Sequence, residues 1–347
     1  MRTYNYEQLK QLMIPMETVN LIAKINEYKG KQELYKQQAP QILNTLKDVA
    51  IIQSTKASNA IEGIIITDSR LKSIMENDTN LQDRSEGEIV GYRDVLQLIH
   101  SSFDAIPVRE SVILQLHKEM YRYIGIEGGR WKNVDNIISE TFSDGTKRIR
   151  FEPVSAFETP AAIQRLCEEL RERMSKADVE PLILISVFIL DFLSVHLFND
   201  GNGRMARLLT LLLLYQFGFE VGRYISLEKI IEDSKEDYYE TLRKSSVHWH
   251  DNTNDIFPWV NYLLGTFVAA YKDLESRVGI LESQKGSKSQ RVHAFIEKKL
   301  GYFTKGDIRN ACPDVSEATI NRVLNELKEQ KAIVPEGLGR NAKWKKI

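Results

Sequence analysis

Two strongly apolar segments lie on either side of one short polar stretch, and this limits what the chain can become. Pro181 to Val195 contains the run LILISVFIL, which ends at Asp191, and Met205 to Phe217 contains LLTLLLLY. A helix that is apolar on every side must be buried among other elements. The first run is too short to span a bilayer, so it reads as a buried core helix. Between the two lies HLFNDGNGRMAR, His196 to Arg207. A chain built around such a pair needs further helices to cover them.

The rest of the sequence supplies them. Apolar residues recur at three- and four-residue spacing, and Pro (9) and Gly (19) are sparse in a 347-residue chain. The expected fold is mainly α. The first forty residues read as a lead-in punctuated by Pro15 and Pro40. A helix is expected from Pro40 to Glu62, with Pro in its first turn and Gly63 as its stop. Others follow at Ser85 to Ser102, Arg109 to Tyr123, Pro160 to Ser175 and Pro181 to Val195, then Met205 to Phe217, with two or three more reaching Leu281. The exception is Gly128 to Pro153. Its NII and RIRF segments favour strands, and Asp144-Gly145 is a turn signal, so a β-hairpin is expected among the helices.

Ser283 to Ser289, SQKGSKS, has the composition of a linker. Beyond it, helices are expected at Gln290 to Leu300, Thr304 to Ala311 and Ser316 to Gln330, with Thr304 and Ser316 as caps. Two short strands close the chain. That order is the pattern of a winged helix-turn-helix. The division expected is 1–95, 96–282, a linker at 283–289, and 290–347. Lys288 to Ile347 carries 13 Lys+Arg against 7 Asp+Glu, a net of +6 on a chain of net -1. Arg322, Lys328, Arg340, Lys343, Lys345 and Lys346 are candidates to meet DNA phosphates. The two cysteines, Cys167 and Cys312, match no metal spacing and fit a reducing compartment. The start, MRTYNYEQLK, has no hydrophobic signal region, so a soluble, cytoplasmic protein is expected.

The polar stretch has the parts of a phosphate site. Gly201-Asn202-Gly203 precedes a helix, whose first turn offers free N–H groups and a positive dipole end. Arg204 and Arg207 lie three apart on one face and can clamp phosphate oxygens. Asp200 suits Mg²⁺ carrying a polyphosphate. A neutral His196 at the entrance can take a proton from a hydroxyl. Phe198 is expected to anchor the loop.

His196-x-Phe198-x-Asp200-Gly201-Asn202-Gly203-Arg204-x-x-Arg207 resembles the signature loop of the Fic (filamentation induced by cAMP) family, with Leu197 where that signature has Pro. The resemblance implies a helical Fic core whose β-hairpin is a flap. It implies transfer of AMP from ATP to a Ser, Thr or Tyr hydroxyl of a target protein, with pyrophosphate released. His196 is then the general base and Asp200 the Mg²⁺ ligand. Asn202 and the amides of Gly201 and Gly203 hold the α- and β-phosphates, and Arg204 and Arg207 the outer ones. In the flap, Ile138, Ser139, Glu140 and Thr141 would lie closest to the nucleotide. Tyr238-Tyr239-x-x-Leu242 resembles the family segment that faces adenine.

A second motif lies upstream, in SNAIEG, Ser58 to Gly63. A glutamate at a helix C-terminus costs about 0.3–1 kcal/mol unless a cation answers it. Ser58-x-x-x-Glu62-Gly63 is similar to the inhibitory motif, (S/T)xxxE(G/N), of Fic proteins that carry their own inhibitory helix. The likeness implies that Glu62 pairs with Arg207 and takes the room of the ATP γ-phosphate. Alternatives are a different donor nucleotide, removal of AMP from the target, and a DNA-binding transcriptional regulator with a nucleotide-binding core. Family members often form homodimers.

Overall fold

The computed structural model describes residues 2–38, 40–76, 81–141, 146–282, 288–299, 302–337 and 342–346. In chain order the first helices are α1 (Met16–Gln38), α2 (Pro40–Ile61), α3 (Asp68–Met75), α4 (Arg84–Ser102) and α5 (Glu110–Met120). A hairpin follows, β1 (Ile138–Thr141) with β2 (Lys147–Phe151). Then come α6 (Thr159–Lys176), α7 (Pro181–Val195), α8 (Asn202–Gln216), α9 (Leu227–Asp233), α10 (Lys235–Ser246) and α11 (Phe257–Glu282). The chain ends in α12 (Lys288–Lys298), β3 (Tyr302–Thr304), α13 (Lys305–Ala311), α14 (Glu317–Glu329), β4 (Ile333–Glu336) and β5 (Lys343–Lys346).

The expected mainly α fold with one hairpin is what forms. Helix α7 is buried from Leu182 to Val195, and α8 is buried along nearly its whole length. They pack on each other, with α6, α4, α10 and α11 around them. Each fully buried Leu, Ile or Phe in this pair is worth about 1.5–3 kcal/mol relative to exposure. Asp191, the one acid in α7, is fully buried. It accepts from Arg2 at 2.7 Å, Tyr6 Oη at 2.9 Å and Trp249 Nε1 at 2.6 Å. These partners keep the charge tolerable and tie down the N-terminal residues.

The lead-in is not a connector: residues 16–38 form a 23-residue helix lying along α11. Its buried positions are Thr18, Ile25, Tyr28 and Gln32, two of them polar, so no apolar stripe marks it. Thr18 donates to Asn261 at 2.6 Å, and Tyr28 stacks on Tyr271 at 5.5 Å between ring centroids. Helix α8 also begins three residues earlier than expected. Gly201 adopts φ +83° as its N-cap, a conformation that glycine takes without strain, and Asn202 becomes its first residue.

The hairpin pairs antiparallel, with a bulge between Ile138 and Ser139. The Asp144-Gly145 turn lies outside the described residues. So do residues 283–287 of the expected linker, while Lys288 and Ser289 already belong to α12. In the tail Thr304 and Ser316 cap their helices as expected, Thr304 in a full capping box with Asp307. Strand β3 was not expected; it has three residues and one buried side chain, Phe303, too little to leave a pattern. The sheet order is β3-β5-β4, and the tail has its own core around Phe295, Ile308, Val323 and Trp344. Arg340 and Leu300 lie outside the described residues.

Candidate active site

Helix α7 ends where its register meets His196, whose backbone turns left-handed at φ 52° and whose N–H still bonds to the Phe192 carbonyl at 3.2 Å. The loop from His196 to Gly201 is then held from beneath. Leu197 and Phe198 are fully buried. The Phe198 ring stacks on His117 of α5 at 3.7 Å between centroids and on Trp131 at 6.0 Å. His117 Nδ1 accepts from Gly129 N at 2.8 Å, so its Nε2 carries the proton and donates to the Asp200 carbonyl at 3.1 Å. The Asn202 side chain closes the loop on itself. Its Oδ1 accepts from Phe198 N at 2.9 Å, and its Nδ2 donates to Phe198 O at 2.8 Å. The side chain of Asn202 is therefore engaged with the loop, and the free N–H groups at the start of α8 are the donors left for an anion.

The two arginines part company. Arg204 is 1% exposed. It bonds to Glu88 of α4 at 2.5 Å and Tyr121 Oη at 3.0 Å. Arg207 bonds through Nε to Ser58 Oγ at 2.8 Å and through Nη2 to Ser58 O at 2.9 Å and Glu62 Oε1 at 2.7 Å. Ser58 and Glu62 are brought there by α2, which ends at Ile61 with Gly63 left-handed at φ +84°. Lys235 Nζ, 2.6 Å from the Ile61 carbonyl, supplies a second cation at that negative helix end.

A cavity of about 130 Å³ lies beside these groups. Its walls include Glu62, His196, Gly203, Arg207, Ile138, Arg150, Phe151, Tyr238, Tyr239 and Leu242. Of the expected flap residues, Ile138 reaches the cavity and Ser139 is exposed. Glu140 and Thr141 pair with Arg148 and Lys147, and their side chains lie outside the described residues. Tyr238 serves the core as well, edge-on to Trp259 and Tyr262. Arg204, Asn202, Gly201 and Asp200 do not line this cavity. Asp200 sits at the loop surface, its side chain 55% exposed, accepting from Gly201 N at 2.7 Å and facing Arg84 at 3.2 Å.

Residues 107–214 match the family model described as Fic/DOC family. The chain carries a Fic domain. It is 24% identical over 227 residues to a protein named protein adenylyltransferase Fic from Nematostella vectensis, covering 62% of this chain and 46% of that one. It is also 24% identical over 216 residues to protein adenylyltransferase fic-1 of Caenorhabditis elegans, covering 59% and 37%. The chain thus spans about half or less of the length of these relatives. A Fic family protein from Desulfovibrio desulfuricans has the same fold, with a TM-score of 0.64 and 23% identity, covering 97% of both chains. The Fic-1 fragment from C. elegans gives 0.58 at 18% identity, covering 77% of this chain and 73% of that one.

Three residues around the Fic loop carried no signal in the sequence. Glu88 sits on α4, which is buried over most of its length, His117 on α5, and Lys132 in an irregular segment; each is 5% exposed or less. Only their tertiary partners mark them.

The electrostatics of the helical core predict a pH response. His100, His117 and His196 are pushed down to about 3, 4 and 4, in each case by burial first. Neighbouring cations add to this: Arg223 at His100, Arg204 at His117 and Lys132 at His196. Their folded pKa values lie below the unfolded value of about 6.5. Above that pH they leave stability unchanged. As pH falls from about 6.5 towards 4, the unfolded chain takes up protons that the folded chain refuses. Each histidine then removes up to about 1.4 kcal/mol per pH unit. Urea midpoints at pH 7.0, 5.5 and 4.5 should fall steadily, with a smaller fall in His117→Gln; superimposable midpoints would contradict this reading.

Gly201→Ala is expected to destabilise the domain by roughly 1–3 kcal/mol, through strain at positive φ and crowding. Its Cβ would come within 2.9 Å of Met120 Cε and Tyr121 Oη. Thermal unfolding checks this; an unchanged midpoint would mean that the loop adapts freely.

Proposed function

We propose that this chain is a protein adenylyltransferase, moving AMP from ATP to a hydroxyl side chain of a target protein, and that Glu62 holds it back. The observation that carries the reading is one cavity lined by His196, Arg207 and Glu62, with the Glu62 carboxylate 2.7 Å from Arg207. The names of the relatives support the same reaction class.

In this reading the target O–H gives its proton to His196 as its oxygen bonds to the α-phosphorus. The bond from that phosphorus to the bridging oxygen breaks, and pyrophosphate leaves. His196 Nδ1 is buried, so Nε2 is the nitrogen that takes the proton. Gly203 admits the nucleotide closely, since a Cβ there would fall on the Glu62 carboxylate. Arg207 meets the outer phosphates once Glu62 withdraws, and the first N–H groups of α8 face the inner ones. Arg204 acts from below, bonded to Glu88 and Tyr121, as a support for the loop rather than a clamp. Ile138 and the exposed Ser139 of β1 guide the target segment, and Tyr238 and Tyr239 bound the base.

Asp200 fits Mg²⁺. Its carboxylate is accessible, and Mg²⁺ commonly takes one or two protein carboxylates, with water and substrate phosphates completing the shell. Among the described residues no group of three or more His, Cys, Asp or Glu competes for a metal. The ion would neutralise phosphate charge, with Asp200 orienting it.

The test is mass spectrometry of Glu62→Gly protein incubated with Mg²⁺ and each of ATP, GTP, CTP and UTP, alone and with a cell extract as the source of targets. A gain of one AMP with ATP supports the reading. A gain with another nucleotide assigns that donor, and no modification in any arm sinks transfer.

The proposed division keeps 1–95 as the region bearing the brake, 96–282 as the Fic core and its flanking helices, 283–289 as linker and 290–347 as a winged helix-turn-helix. A second reading, duplex DNA binding through this tail, is favoured by β5, which exposes Lys343 and Lys345 on either side of buried Trp344. Helix α14 opposes it, with Glu317, Glu326 and Glu329 beside Arg322 and Lys328. That reading requires full-length protein to bind duplex DNA with an affinity that falls steeply with salt. Binding that is flat with salt would leave the tail a protein-interaction module. No described helix is long and apolar enough to cross a membrane.

A further inference from the structure

Lys132 is 3% exposed, an unusual place for a lysine. Its Nζ donates to the Val195 carbonyl at 3.0 Å and to Asn136 Oδ1 at 3.0 Å. Its main-chain N–H donates to the Leu197 carbonyl at 2.8 Å. Asn136 in turn donates to the Phe198 carbonyl at 3.4 Å. The carbonyls before and after His196 are thus both held by one residue, and the next is held by that residue's partner. His196 itself is left-handed, at φ 52° and ψ 63°. A non-glycine residue stays in that region only where its surroundings over-determine it.

Holding two carbonyls does not require a charge, because a neutral amide side chain would serve. A buried ammonium is the expensive choice, and the oxygens it meets are uncharged. Asp135 is the acid that opposes its discharge, and burial still pushes Lys132 down to about 8. The charge also acts on His196, lowering its affinity for a proton, and the His196 Nδ1 is buried with no hydrogen-bond partner among the described residues.

We infer that Lys132 is a positioning residue for His196, fixing its backbone from both sides so that the imidazole stays aimed into the cavity as the base. This rests on His196 being the base of the reaction proposed above. The charged groups acting on His196 come from three elements. Lys132 favours the neutral ring, while Glu62 at the end of α2 and Asp200 in the loop, with the Leu193 main chain, favour the protonated one. Arg207 and Arg150 line the same cavity. Lys132 is the cation that counters the two acids.

The experiment compares Lys132→Met and Lys132→Arg, each in a Glu62→Gly background. Lys132→Met should lower kcat roughly tenfold through lost positioning, with KM for ATP within about twofold. It should raise the acid limb of kcat/KM, and the His196 imidazole titration followed by NMR, by about one pH unit. Lys132→Arg, which keeps the charge, should keep the acid limb and the imidazole titration of the parent. Lost kcat in Lys132→Met with the acid limb and the imidazole titration unmoved would mean a merely structural residue and overturn the inference. If Lys132→Met fails to fold, Lys132→Gln takes its place, since it keeps a donor for the Val195 carbonyl without the charge, and an acid limb and imidazole titration unmoved in it also overturn the inference. The imidazole titration needs no turnover. Absence of AMP transfer would therefore sink the proposed function and leave this inference to the titration.

Discussion

Glu62→Gly is expected to raise the initial rate of AMP transfer by roughly 10- to 100-fold. The expectation follows from the position of the carboxylate. It sits 2.7 Å from Arg207 Nη2 in the cavity that also holds His196. A hydrogen bond to a charged group is worth about 1.5–3 kcal/mol, and each 1.36 kcal/mol is a factor of about ten in rate. Removing the carboxylate frees Arg207 without setting it loose, because both bonds to Ser58 remain. It also clears the space above Gly203. In the proposed reaction this leaves Arg207 available to an outer phosphate. Glu62→Gln separates charge from bulk: it keeps the size, loses the ion pair and should fall between. Measured as AMP incorporated per minute at saturating ATP, equal rates in the parent chain and Glu62→Gly would remove the brake from this account.

His196→Ala in the Glu62→Gly background should lower the rate by about 10²- to 10⁴-fold, the usual range for a positioned general base. Binding of ATP should change little, since the phosphate-facing groups come from α8 and Arg207. The acid limb of kcat/KM, which reports the free enzyme, should lie near or below pH 5 rather than near the ordinary imidazole value. Burial and Lys132 hold His196 down at about 4, and Glu62 pushes the other way. Its removal lowers the value further and extends the neutral, base-competent form to lower pH. A limb centred near pH 6.5, or a His196→Ala variant with full activity, would assign the proton transfer elsewhere.

Both predictions use residues legible in the chain itself. The groups of the loop could be read because they are consecutive: histidine, carboxylate, glycines and arginines follow one another between two apolar helices. The Glu62–Arg207 pair could be anticipated because a glutamate at a helix C-terminus calls for a cation, and the motif likeness pointed to Arg207. The hairpin was visible from its strand-forming residues. Helix α1 was not, because it buries Thr18 and Gln32 along with Ile25 and Tyr28 and so lacks an apolar stripe. The differing surroundings of the two arginines were also invisible. Spacing puts Arg204 and Arg207 on one face, yet Glu88 of α4 engages one and Ser58 and Glu62 the other.

Sequence alone therefore determined the buried helix pair, the polar loop between them and the donor and acceptor groups that loop carries. Those properties are local: they depend on periodicity, turn-forming glycines and the donors that neighbouring residues carry. Tertiary structure decided which groups share the cavity, which arginine faces it and what keeps His196 neutral. Each of those depends on contacts between residues far apart in the chain, such as Arg207 with Ser58, Arg204 with Glu88 and Lys132 with Val195. Burial then fixes their charge states, because the same lysine or imidazole would titrate near its ordinary value in water.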